Sequence, residues 1–193
     1  MKQRMSKRGN LFVISGPSGV GKGTVCRLLL ERSDKVAFSV SATTRKPRCE
    51  DIEGVTYYFK SVPEFEEMIN TGKFLEWAVY NGNYYGTPRE AVEKKLDEGI
   101  DIILEIETQG ALKVMQEKPE AVSVFIEPPD LEELHNRLKN RGTESPEEIS
   151  QRIAAAEWEL SQKDKYDYVV VNGDLNATVD LIENIMKSER KKV

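Results

Sequence analysis

Lys22 lies near the end of a glycine-spaced run, Gly16-Pro17-Ser18-Gly19-Val20-Gly21-Lys22-Gly23-Thr24. That spacing is suited to binding phosphate. Glycines reach backbone angles that a Cβ forbids, so the loop can turn its N–H groups inward around an anion at the start of the next helix. The lysine adds a mobile cation for the outer phosphates. Such loops usually carry Ser or Thr directly after the lysine, where the hydroxyl meets magnesium. Gly23 takes that place here, and Thr24, one residue late, is the candidate metal ligand.

A phosphate loop implies one nucleotide or a similar anion; other polar clusters imply a second. Arg45 and Arg48 lie three apart in Ser41-Ala42-Thr43-Thr44-Arg45-Lys46-Pro47-Arg48. Guanidinium forks bind phosphate bidentately, and Tyr57 and Tyr85 add hydroxyl donors. Pro47 keeps Lys46 extended, so the segment is a loop. It is either a solvated basic loop or a second phosphate site, and beside a phosphate loop we expect the site. In Phe74-Leu75-Glu76-Trp77, strand alternation puts Glu76 on the face of Phe74. A carboxylate there can accept N1–H and the exocyclic amine of guanine, a donor pair that adenine lacks. Ser41 and Thr87 can donate to guanine O6 or N7. Taken alone, Glu76 also reads as a strand-edge acid.

Ile102-Ile103-Leu104-Glu105-Ile106-Glu107 closes an apolar strand with two acids. Ligands of open α/β sheets gather at the strand C-termini. Glu105 and Glu107 therefore suit water-mediated magnesium binding or contacts to a substrate nucleoside; the alternative is capping of the helix that starts near Thr108. Arg137 and Arg141, four apart, share a helix face, and Arg152 follows on the next helix. Three arginines flanking a short connecting segment suit a clamp on a transferring phosphoryl group, a reaction that needs positioning and charge neutralisation more than covalent chemistry. His135 is the only histidine and Cys26 and Cys49 show no pairing pattern, which argues against a zinc site or a histidine-based triad.

These residues need a scaffold. The spacing predicts strands at 11–15, 36–40, 57–60, 74–80, 101–106, 122–126 and 167–171, and helices at 22–32, 63–71, 88–98, 109–117, 131–140, 147–163 and 177–190. Ser61, Thr87 and Ser145 each precede a Glu by three residues with a Pro between, the pattern of a capped helix start. Gly72 and Gly99 suit helix C-termini, and Asn81-Gly82 signals a hairpin. Continuous apolar strands alternating with helices imply a P-loop three-layer α/β/α core with a parallel sheet. Aromatic short strands imply a mixed-β insert, and the arginine helices a helical lid. We expect a single domain over 1–193, with core segments 9–40, 88–130 and 165–190, an insert at about 41–87 and a lid at about 131–164. Apolar residues at 39% and charged residues at 32% fit a folded globular chain. A net charge of −5 draws it neither to nucleic acid nor to a membrane. No run of apolar residues has the length of a membrane span, and the N-terminus lacks a signal-peptide core, so we expect a cytoplasmic protein.

The motifs GPSGVGKGT, FSVSATTRKPR, GVTYYF, FLEWA, GNYYGTP, LEIETQGA, RLKNRGTE and YVVVNGDL occur in that order. Through them nearly the whole chain resembles the bacterial-type guanylate kinases, ATP-dependent GMP kinases of purine nucleotide metabolism. The resemblance implies ATP and GMP as substrates and Mg2+ as cofactor. It implies 16–24 for ATP, with Lys22 central, and Asn172 near the adenine. For GMP it implies Ser41, Arg45, Arg48, Tyr57, Glu76, Tyr85 and Thr87, with Glu107 where the family commonly has Asp. Arg137, Arg141 and Arg152 match the lid arginines. Gly173 stands where an acidic or amide residue is often found. The alternative within the same resemblance is a non-catalytic guanylate kinase-like binding module.

Overall fold

The computed structural model describes residues 8–80, 82–140 and 146–192. Five parallel strands form the central sheet: β1 (Leu11–Ser15), β2 (Val36–Phe38), β7 (Asp101–Glu105), β8 (Val122–Glu127) and β9 (Tyr168–Val171). Their order is β2-β7-β1-β8-β9, which seats β1 at the centre. The alternation along β1 divides its side chains between two cores. Phe12 and Ile14 join Ile103, Val124, Ile126 and Val170 on one face, under α1 (Lys22–Glu31) and α7 (Leu175–Lys192). Leu11 and Val13 join Ile102, Leu104 and Phe125 on the other, under α3 (Arg89–Asp97) and α4 (Thr108–Glu117). The central strands β7, β1 and β8 are covered on both faces, which is why they read as unbroken apolar runs, whereas Val169 and Val171 of the edge strand β9 are exposed. The layering is the expected α/β/α core.

After β2 the chain leaves this sheet and builds a second one from β3 (Ala42–Thr43), β4 (Tyr58–Phe59), β5 (Phe74–Tyr80) and β6 (Asn83–Pro88), in the order β4-β3-β6-β5. The pairing is mixed: β3 runs parallel to β4 and antiparallel to β6. Its small core rests on aromatic stacking. Phe65 of α2 (Val62–Asn70) lies 4.4 Å from Phe74 and 5.1 Å from Tyr84, both near parallel. The β5–β6 hairpin turns at Gly82, whose φ of 73° is left-handed. β6, which alternation alone did not mark, is held in place by that hairpin.

The expected helix ends are largely present. Ser61 forms a reciprocal capping box with Glu64. Gly72 and Gly99 both follow their helices in left-handed geometry, and each closes a paired C-terminal motif: Gly99 N–H bonds Leu96 C=O and Ile100 N–H bonds Lys95 C=O. The expected cap at Thr87 is not formed. Pro88 occupies the cap position of α3 without a side-chain bond, because the Thr87 hydroxyl is directed to a carboxylate on β5 instead. The Ser145 cap lies outside the described residues. The helices α5 (Leu131–Asn140) and α6 (Pro146–Leu160) pack through Leu134, Ile153 and Ala156.

Candidate active site

The phosphate loop spans the gap between β1 and α1. Gly16 (φ 145°) leaves no room for a Cβ, which would stand 2.1 Å from the Ile126 carbonyl oxygen. Gly21 (φ 100°) takes the left-handed conformation at the start of α1, where a Cβ would meet Asn172 Nδ2 at 2.7 Å. These two glycines let the loop fold back against β8 and the end of β9. Lys22 Nζ donates to the carbonyls of Gly16 (2.5 Å) and Pro17 (3.0 Å), so its charge sits over the mouth of the loop. Burial lowers its pKa, while the charges of Glu159, Glu105 and Glu107 pull it back up.

Asn172 is buried beneath the loop. Its Nδ2 donates to Val20 C=O at 2.7 Å, and its Oδ1 is buried with no hydrogen-bond partner among the described residues. Arg137 spans the same region, donating to Val20 C=O (3.2 Å) and Asn172 C=O (3.0 Å), with its Nε on Glu133. Both residues hold the loop from behind. Asn172, expected near the adenine, and Arg137, expected in a clamp, thus both adjoin the phosphate loop. Arg152 meets the loop from the other side, donating to Ser18 Oγ at 2.8 Å. Arg141 lies outside the described residues.

Two adjoining cavities separate the central sheet from the insert, of about 280 and about 330 Å³, and Ser41, Glu105 and Ile106 line both. Tyr57 and Thr87 face the first; Glu76, Tyr85, Glu107 and Lys113 face the second. The Arg45 guanidinium donates to Asp51 Oδ2 (2.9 Å) and Lys46 C=O, and its centre lies 5.3 Å from the Tyr57 ring and 5.9 Å from Phe59. Tyr57 in turn meets Tyr85 edge to face at 6.0 Å. Asp51 also accepts the Arg48 N–H at 2.7 Å, and that bond, with Arg45, holds its carboxyl below the usual range. The Arg48 side chain is exposed.

Glu76 is not on the face of Phe74. The β5–β6 register shifts between Phe74 and Glu76, and this bulge breaks the alternation. Phe74 stacks on Phe65, whereas Glu76 turns toward α4, where its Oε2 lies 3.5 Å from the position of a Cβ on Gly110. Thr87, opposite it on β6 and 1% exposed, donates to Glu76 Oε1 at 2.7 Å. Burial pushes the Glu76 carboxyl up; the Thr87 hydroxyl and the Lys113 charge oppose this, and Glu107 adds to it. Glu107 stands at the cap position of α4 but makes no capping bond with its side chain. Glu105, at the end of β7, lies beside Gly23. Thr24 is exposed on the first turn of α1.

Three participants escaped the sequence reading. Asp51 orders the Arg45 loop, Glu159 meets the phosphate loop from α6, and Lys113 faces Glu76. An acid placed directly after a basic loop was the one available signal for Asp51; Glu159 is one of several glutamates on its helix and carried none.

The family model described as guanylate kinase matches residues 8–189. A guanylate kinase of Caldanaerobacter subterraneus subsp. tengcongensis is 51% identical over 189 residues, covering 98% of this chain and 92% of that one. One from Clostridioides difficile is 49% identical, covering 97% and 91%. The crystal structure of guanylate kinase from Anaplasma phagocytophilum superimposes with a TM-score of 0.71 at 38% identity, over 96% of this chain and 88% of that one. Loop, cleft and sequence agree, and the chain belongs to the guanylate kinase family.

Proposed function

We propose that this chain transfers the γ-phosphoryl group of ATP to GMP, giving ADP and GDP. One observation carries the reading beyond family membership. The cavity lined by Glu76, a half-buried carboxylate suited to a guanine edge, is also lined by Glu105, which lies beside Gly23 of the phosphate loop. An NTPase needs the loop alone; a second base-reading site implies an acceptor.

The backbone of 16–24 and Lys22 receive the ATP phosphates. Arg45, Arg48, Tyr57 and Tyr85 hold the GMP phosphate in line with them. Ser41, Glu76, Thr87 and Glu107 hold the nucleoside, Glu76 accepting N1–H and the exocyclic amine. Arg141 and Arg152 neutralise the moving group; Arg137 and Asn172 hold the loop that binds it, which gives Asn172 a structural part in ATP binding. The acceptor is already a phosphate oxygen, so no strong general base is needed.

Among the described residues no three acids, histidines or cysteines gather into a metal cage, and Gly23 offers no hydroxyl. The chain therefore fits Mg2+ held chiefly by nucleotide phosphates and water, with Glu105 and Thr24 reaching it through water. When bound, the ion neutralises phosphate charge. The free thiols Cys26 and Cys49 support a cytoplasmic setting, and the net charge of −5 supports the absence of a nucleic-acid partner. Among the described residues no helix is long and apolar enough to cross a membrane.

The test is a coupled assay of ADP formation with ATP and magnesium, comparing GMP, AMP, UMP and CMP. We expect turnover with GMP alone, falling at least about 100-fold in Lys22→Ala. Equal rates with all four acceptors would remove the guanine reading.

A further inference from the structure

Arg152 and Glu159 are seven residues apart on α6, close to two full turns, so they project from the same side of that helix. Both meet the start of the phosphate loop. Arg152 donates to Ser18 Oγ at 2.8 Å. Glu159 accepts from Thr108 Oγ1 at 3.1 Å, and Thr108 Oγ1 lies 3.3 Å from Oγ of Ser15, the residue before Gly16. Ser15 and Thr108 are fully buried. The Ser18 N–H adds a weaker pull on the same carboxylate. One helix thus holds the first residues of the loop at two points, with a cation and an anion two turns apart.

A half-buried carboxylate is a costly choice for a tether. Burial raises the pKa of Glu159, with Lys22 and the Thr108 hydroxyl opposing, and an apolar residue of similar volume often packs as well or better. The carboxylate adds direction. Its bond to Thr108, the first residue of α4, fixes α6 where it meets the central layer, and the next residue, Leu160, packs into the apolar cluster below. Two turns away, the position of Arg152 follows from that anchor.

We propose that Glu159 is a positioning residue for phosphoryl transfer: by tying α6 to Thr108 and Ser15 it sets the reach of Arg152 over the phosphate loop. It acts through Arg152 and not on the substrate. The inference rests on the reading of Arg152 as a cation for the moving phosphoryl group.

A double-mutant cycle tests it. kcat and KM are measured with ATP, magnesium and GMP for the wild type, Glu159→Leu, Arg152→Lys and the double variant, each normalised to folded protein by circular dichroism and thermal melting. We expect Glu159→Leu to lower kcat about tenfold with KM for GMP within about twofold, and to lower it less than about twofold in the Arg152→Lys background. Glu159→Gln, which keeps an acceptor for Thr108, should recover at least about a third of the lost kcat. Equal losses in both backgrounds, or none in either, overturn the tether while leaving Arg152 its role. An Arg152→Lys variant with unchanged kcat removes the role of Arg152 and the tether with it. If Glu159→Leu does not fold, Thr108→Val, which deletes the partner hydroxyl at nearly constant volume, takes its place in the cycle with the same expected outcomes.

Discussion

Oε1 of Glu105 lies 3.3 Å from the point where a Cβ on Gly23 would stand. The residue after the loop lysine and the acid at the end of β7 therefore share one small space, and glycine leaves it to the acid. The sequence departure at Gly23 has a structural counterpart: the carboxylate occupies the neighbourhood that a loop hydroxyl would otherwise enter. A 3.3 Å approach is tight, but the neighbour is the tip of a flexible side chain. Gly23→Ser should therefore fold, with Tm unchanged or raised by up to about 2 °C, since serine is the better helix former. A fall in Tm of more than about 5 °C in a melting experiment would show that Glu105 cannot move aside.

Asp51 sets a second prediction. Its side chain, 7% exposed, accepts from both Arg45 and the Arg48 N–H, and so fixes the arginine loop before any phosphate arrives. Preorganised charges bind without further ordering. Asp51→Ala should raise KM for GMP about tenfold with a smaller change in kcat, and leave KM for ATP within about twofold. Steady-state kinetics with each substrate varied in turn measures this; equal increases in both KM values would assign Asp51 to the fold at large.

Glu76 provides a pH dependence whose sign can be worked out. Burial raises its carboxyl, with Thr87 and Lys113 opposing. A carboxyl with a folded pKa above its unfolded one binds an extra proton on folding. The stability it contributes is present at low pH and is lost as pH rises through the folded value. Glu76→Gln should therefore raise Tm at about pH 7, with the gain shrinking toward about pH 4. The same substitution should lower kcat/KM for GMP about 100-fold, since a charge-assisted pair of bonds is weakened. In the wild type, KM for GMP should begin to rise on acidification at a pH above the ordinary carboxylate value of about 4, and in Glu76→Gln that rise should be absent. Melting curves and KM measured across pH test both halves.

The central layer was legible because its chemistry is local. Gly16, Gly19 and Gly21 announce the loop by spacing, and the runs around Ile103 and Val124 announce buried strands. The insert was less so. Ala42–Thr43 and Tyr58–Phe59 are two-residue strands whose existence depends on pairing, which no periodicity encodes. Glu76 was legible as a residue type but not as a direction, because the bulge at its own position reverses the face. Thr87 carries a capping pattern, yet its hydroxyl bonds the buried carboxylate across the hairpin, a tertiary partner that local sequence cannot weigh against a helix N–H. The bonds that Arg137, on α5, and Asn172, just after β9, make to the Val20 carbonyl are tertiary contacts that no local pattern encodes.

The most direct measurement follows phosphorus. The chain, incubated with ATP, magnesium and GMP, is monitored by 31P NMR until ATP is consumed. Transfer to GMP predicts ADP and GDP in equal amounts and no inorganic phosphate beyond the enzyme-free control, because the acceptor oxygen of GMP takes the place of water. ADP accompanied by an equal amount of inorganic phosphate would make the cleft that of a nucleotide hydrolase. An unchanged spectrum from folded protein that still binds GMP would make it a binding module, and either result would contradict the reading of Glu76 and Lys22 as the two ends of one transfer site.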